Sequence, residues 1–100
     1  MEEVNSVNIS KIEFLNRAEV LYGSDSIDAI VKFVKILASA ENDTTGVTYK
    51  SFDFVKFFTG NGIEYRIAIK DNRFIAGGKK YITNVNIKEQ YMDIFKIHLE

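Results

Sequence analysis

The segment from Gly60 to Tyr81 constrains the fold more than any other part of the chain. It reads GNGIEYRIAIKDNRFIAGGKKY, in which turn residues separate short stretches with a strand pattern. Asn61-Gly62 is the dipeptide most typical of tight hairpin turns, and residues 63–70 then alternate between apolar and polar side chains. Asp71-Asn72 and Gly77-Gly78 tolerate the positive φ angles that further turns require. The segment therefore predicts an antiparallel meander.

The N-terminal half has the spacing of helices instead. Ser10 and Glu13 are spaced as a capping box, and apolar residues from Phe14 to Tyr22 recur at intervals of three and four. Gly23 can adopt the left-handed conformation that ends a helix. A second and stronger pattern of the same period covers residues 27–38. We therefore predict two N-terminal helices.

Two segments fit both a helix and a strand. In residues 47–58 the phenylalanines fit one face of either element, and the β-branched and aromatic composition favours a strand. Residues 87–99 fit a helix that begins after Asn86, or a strand with a period of two. Asn86 and Glu89 have the spacing of a cap pair, so we favour the helix there.

Length and composition complete the fold prediction. One hundred residues, of which 46% are hydrophobic, supply one core and are too few for two domains of ordinary size. We predict a single α+β domain over residues 1–100, in which two N-terminal helices pack on one face of a three- or four-stranded antiparallel meander. The C-terminal segment adds a helix or, as the alternative, a further strand.

The sequence lacks the residues that most common catalytic and cofactor chemistries need. The sequence contains no cysteine, and His98 is its one histidine, so Cys-His pairs and His-rich metal sites are excluded. The glycine patterns of nucleotide-binding loops do not occur. We expect no metal and no cofactor, and these absences favour a non-enzymatic protein.

Charge and hydropathy bear on location and partners. The net charge of -1 gives no strong attraction to nucleic acid or to an anionic membrane. The chain starts with the acidic stretch MEEVNS rather than with a basic and then apolar signal peptide. No apolar run approaches the roughly 20 residues of a membrane span. We expect a cytoplasmic protein that does not bind membranes.

The basic residues of the meander form a first candidate binding surface. Arg66 and Lys70 belong on the strand face opposite Tyr65. Consecutive glycines let backbone N–H groups point outward in a turn, and the lysines beside them add positive charge for a phosphate. The predicted binding surface comprises Arg66, Lys70, Arg73, Gly77, Gly78, Lys79 and Lys80.

A phenylalanine-rich segment is the second candidate surface. It contains more large apolar side chains than one strand face can hide, so some of them are candidates for an interface with a protein partner or with a second copy of the chain. The candidate interface residues are Phe52, Phe54, Phe57 and Phe58.

Taken together, these features favour a small, non-enzymatic protein-binding module, such as an inhibitor, immunity or accessory factor of a phage or mobile element. One alternative is a nucleic-acid-binding protein that uses the basic sheet face of residues 66–80. Another comes from a resemblance: two helices followed by a meander with the strand Tyr65-Arg66-Ile67 are similar to small bacterial ribonuclease toxins of toxin–antitoxin modules. That resemblance implies a toxin-like ribonuclease, although the chain is more acidic and poorer in arginine than the family.

Overall fold

The computed structural model describes residues 9–17, 19–46 and 52–96, which form one antiparallel sheet of seven strands and two helices. The sheet has the strand order β2-β1-β4-β5-β6-β7-β3. The strands are β1 (Ile9–Asn16), β2 (Glu19–Ser24), β3 (Glu41–Asn42), β4 (Asp53–Thr59), β5 (Glu64–Lys70), β6 (Arg73–Ala76) and β7 (Lys79–Ile82). The helices are α1 (Ile27–Ala38) and α2 (Ile87–Ile94).

The prediction of two N-terminal helices on a three- or four-stranded meander is wrong, because residues 9–24 form a β hairpin and the sheet has seven strands. β1 and β2 pair antiparallel, and Arg17 between them has a φ of 59°. Ser10 does not cap a helix, since its Oγ donates a hydrogen bond to the Phe58 carbonyl at 3.2 Å. The element order that resembles the ribonuclease toxins is therefore not present.

The physical reason for this error lies in the position of β1. It has a strand on each side, and Phe14 and Leu15, which point to opposite faces, are both buried. Adjacent apolar residues imitate the spacing of a helix. The prediction followed that local spacing, whereas the partners of β1 on β4 lie 37 to 50 positions away in the sequence.

Other local predictions agree with the structure. The three turns of the meander occur where the sequence predicts them, with positive φ angles at Gly62, Asp71, Gly77 and Gly78. α1 covers the predicted residues 27–38, and the N-cap Asn86 accepts a hydrogen bond from the Glu89 N–H at 2.9 Å. Residues 53–59 form a strand, as favoured. Residues 47–51 and 97–99 of the two ambiguous segments lie outside the described residues.

Both helices pack on the same face of the sheet, around a cluster of aromatic rings. The ring of Phe33 from α1 lies 5.2 Å from that of Tyr91 from α2, and 6.3 Å from that of Phe57 on β4. Tyr91 also packs 4.9 Å from Phe14 on β1. All four side chains are fully buried. We call this side of the sheet the helix face.

The Tyr91 hydroxyl is buried in this cluster and has no hydrogen-bond partner among the described residues. Burial, followed by the nearby Tyr22 and Glu13, raises the pKa of Tyr91 well above its ordinary value of 10.0. An unsatisfied buried hydroxyl costs about 1–3 kcal/mol. The hydroxyl is therefore a local weakness in an otherwise apolar core.

We predict that Tyr91→Phe leaves the free energy of unfolding unchanged or raises it by up to about 2 kcal/mol, because it removes an unpaired polar group. Above pH 10 the unfolded chain loses the Tyr91 proton before the folded chain does, so wild-type stability falls with rising pH and Tyr91→Phe reduces that fall. Urea unfolding at pH 7 and pH 11 measures both effects, with Tyr81→Phe as the half-buried control. A loss of more than about 1 kcal/mol at pH 7 would show that the hydroxyl has a partner.

Candidate functional site

The side of the sheet opposite the helix face carries no helix within the described residues, and we call it the open face. Strand register places alternate side chains of the sheet on it. Lys56, for example, pairs with Glu13 on β1 and with Arg66 on β5. The charged residues of the open face are Lys11, Glu13, Glu41, Lys56, Glu64, Arg66, Lys70, Arg73 and Lys80.

The open face is enriched in positive charge. Within the described residues, its strand positions carry six lysines and arginines but three acidic residues. The net charge of the whole chain is -1, so acidic residues elsewhere offset this local excess. A segregated distribution of this kind gives a positive local potential that the net charge conceals.

Phenylalanine side chains lie between these cations. Phe54 and Phe58 occupy open-face positions of β4 and are half-buried. The guanidinium carbon of Arg66 lies 4.2 Å from the centre of the Phe54 ring, and the Lys11 Nζ lies 5.6 Å from the centre of the Phe58 ring. Cation–π contacts at exposed sites contribute about 0.5–1 kcal/mol each. The open face therefore presents cations and aromatic rings side by side.

The four predicted interface phenylalanines do not share one environment. Phe57 is on the helix face and fully buried in the core. Phe52 is half-buried just before β4, and its ring lies 6.2 Å from that of Phe54. The interface hypothesis, which stays a prediction, is consequently carried by Phe52, Phe54 and Phe58.

The structure brings most of the predicted basic residues together. Arg66, Lys70, Arg73 and Lys80 share the open face, whereas Lys79 pairs with Ala76 on the helix face. The Gly77-Gly78 turn lies at the tip of the β6–β7 hairpin, with φ angles of 58° and 77°. The binding surface at these residues stays a prediction.

Arg73 has a structural role on this surface. Its Nε lies 3.4 Å from an oxygen of Asp43, whose side chain is only 1% exposed. The other oxygen of Asp43 accepts hydrogen bonds from the Thr45 N–H at 3.0 Å and from the Thr45 hydroxyl at 2.6 Å. Arg73 thus neutralises a buried carboxylate beside the β3 edge of the sheet.

Two open-face cations were missed from the sequence. Lys11 was assigned to a helix, so its neighbours on the sheet were not recognised. Lys56 lies on β4, where its alternation with Phe54 and Phe58 is the sequence signal that places all three side chains on one face. The register with β5 now places Lys56 directly opposite Arg66.

The described residues contain no group of three or more acidic, histidine or cysteine side chains arranged to hold a metal ion. Neither described helix is long and apolar enough to cross a membrane. No protein-family model matches the chain, and no curated protein or solved structure matches it significantly.

We predict that Arg73→Gln lowers the free energy of unfolding by about 3 kcal/mol, because it removes the positive charge that lies against the buried Asp43 carboxylate. Arg66→Gln also removes one positive charge, but that charge contacts the Phe54 ring. We expect it to lower the free energy of unfolding by about 1 kcal/mol or less. Urea unfolding of both variants compares them directly.

Asp43→Asn provides the check on mechanism. If the ion pair with the Asp43 carboxylate causes the loss of stability, Arg73→Gln lowers the free energy of unfolding much less in a protein that also carries Asp43→Asn. Equal losses in the two backgrounds would show that Arg73 stabilises the fold through contacts other than this ion pair.

Proposed function

We propose that the protein binds single-stranded nucleic acid through the open face. One observation carries the proposal: half-buried phenylalanines and cations lie together on the open face, where neither of the two described helices packs. Proteins that bind single strands combine cations that contact phosphates with aromatic rings on which unstacked bases lie. Phe54 with Arg66, and Phe58 with Lys11, supply both kinds of group in adjacent positions.

The dimensions of the surface favour a single strand over a duplex. The open face is a broad sheet surface, whereas the major groove of DNA admits an α-helix or a two-stranded ribbon. Bases in a duplex are also paired and stacked, so they are not available to Phe54 or Phe58. These two rings are four residues apart on one strand, a spacing of roughly 13 Å at 3.3 Å per residue. Separate bases can therefore lie against each ring.

The electrostatic contribution to binding is expected to be moderate. Counted over the described strand positions, the open face has an excess of three positive charges, and two of its six cations form ion pairs. Lys11 lies 3.2 Å from Glu13, and Arg73 is held by Asp43. Lys56 and Arg66 occupy the centre of the surface, opposite each other on adjacent strands. Stacking on the phenylalanines must then supply a substantial part of the affinity.

We predict that a fluorescent single-stranded oligonucleotide binds the wild-type protein at low salt, with an affinity that falls as salt rises. The double substitution Lys56→Gln/Arg66→Gln weakens binding by about tenfold and makes the salt dependence shallower, because fewer phosphate contacts release counterions. Phe58→Ala costs about 1–3 kcal/mol of binding with little change in salt dependence. Fluorescence anisotropy over a salt series measures all three.

The matched control is Lys32→Gln/Lys35→Gln, which removes the same charge from exposed positions of α1. It should leave binding nearly unchanged. The proposal fails if the wild-type protein does not bind at low salt, or if this control weakens binding as much as the open-face pair does.

The protein-binding function expected from the sequence stays a second candidate. Three exposed apolar side chains favour it, since Val20, Leu21 and Ile27 lie within eight residues of one another and are 49%, 37% and 69% exposed. Exposed apolar side chains that form one patch occur where proteins associate. For a homodimer, light scattering should give a dimer that Val20→Lys and Ile27→Lys dissociate. A monomer at every concentration would exclude self-association through these residues.

A further inference from the structure

A cleft of about 300 Å³ opens at one end of the sheet, next to the open face. Its walls come from the end of β1, the start of β4, the end of β5 and the start of α2. Lys70 lines the cleft and belongs to the open face, and the ring of Phe52 in the cleft lies next to that of Phe54, so the cleft adjoins the open face. The lining residues with groups suited to a ligand are Asn16, Arg17, Phe52, Lys70, Asp71 and Lys88.

The lining combines three kinds of chemical group. Arg17, Lys70 and Lys88 are cationic and suit a phosphate. Asp71 accepts hydrogen bonds, and the Asn16 amide both donates and accepts them, as the edge of a nucleobase requires. Phe52 adds an aromatic ring. A bare phosphate would be repelled by Asp71, whereas a nucleotide has a separate partner for each kind of group.

One carboxylate of the cleft is already compensated. Asp53 lies 3.3 Å from the Lys88 Nζ, and its side chain is 21% exposed. Asp71 forms no ion pair of this kind among the described residues and is exposed at the turn between β5 and β6. Asp71 is therefore the carboxylate of the cleft that is available to a base.

The turn that carries Asp71 is fixed in place. The Asp71 carbonyl accepts a hydrogen bond from the Ile87 N–H at 2.8 Å, which ties the turn to α2. The Asn72 side-chain amide donates to the Thr83 carbonyl at 3.0 Å, and the Thr83 N–H donates to the Asn72 carbonyl at 2.8 Å. Because this wall is preorganised, ligand binding has a smaller entropy cost.

We propose that this cleft binds one nucleotide, with its phosphate at Arg17 and Lys70, its base against Phe52, and the base edge toward Asp71. The placement of that nucleotide within a longer strand rests on the proposed function of the open face. Binding of a free nucleotide to the cleft does not depend on that function, because a nucleoside monophosphate contains all the groups that the cleft contacts. A carboxylate only accepts hydrogen bonds, so a base with adjacent N–H donors, such as guanine, suits it best.

The test is an NMR titration of the ¹⁵N-labelled protein with guanosine 5′-monophosphate, uridine 5′-monophosphate and inorganic phosphate. We expect saturable shifts of the Asn16, Arg17 and Asp71 amides with guanosine monophosphate, and weaker binding of the other two probes. Arg17→Gln should weaken binding at least fivefold. Asp71→Asn should abolish the preference for guanine over uracil. Asparagine tolerates the φ of 55° that Asp71 adopts, so the turn is kept.

Lys32→Gln on α1 is the control and should bind like the wild type. The assignment is overturned if guanosine monophosphate gives no saturable shift, if it binds Arg17→Gln equally well, or if inorganic phosphate binds as tightly. Oligonucleotide binding without a shift in the cleft would reject the cleft alone. Binding of guanosine monophosphate in the cleft, without binding of the oligonucleotide, would reject the open-face function and support the nucleotide site.

Discussion

The contact of Phe33 and Tyr91 with the sheet is the interaction on which the rest of the structure depends. It joins α1 and α2 to each other and to β1, and so holds both helices on one face. A sheet covered by helices on both faces would bury the alternate positions of every strand and would have no place for Lys56 or Arg66. With both described helices on one side, the same alternation that builds the core aligns cations and phenylalanines on the other side.

The charged residues of the open face consequently differ in role although they share a surface. Arg73 compensates the buried Asp43 and belongs to the fold, whereas Lys56 and Arg66 lie at the centre, where a ligand would contact them. Arg66 also covers the ring of Phe54, so a base that stacks there must either displace the guanidinium or lie beside it. The cleft at the end of the sheet extends this surface with groups suited to both parts of a nucleotide.

Local features of the sequence predicted α1, the cap of α2 and the turns of the meander, because neighbouring residues determine each of these. The N-terminal hairpin was missed, since the burial of both Phe14 and Leu15 depends on β4, which is distant in sequence. The alternation along β5 correctly placed Arg66 and Lys70 opposite Tyr65. It did not reveal that Lys11 lies on the same face, beside Phe58, because that requires the order of the strands. The cleft requires the tertiary fold as well.

The central claim is that nucleic acid contacts the open face rather than the helices. Amide and side-chain NMR shifts of the full chain, recorded with an unlabelled single-stranded oligonucleotide, test it most directly. We expect the largest shifts on β1, β4 and β5, including the ring protons of Phe54 and Phe58, and little change on α1. Shifts centred on the helices, or no saturable shifts at low salt, would contradict it.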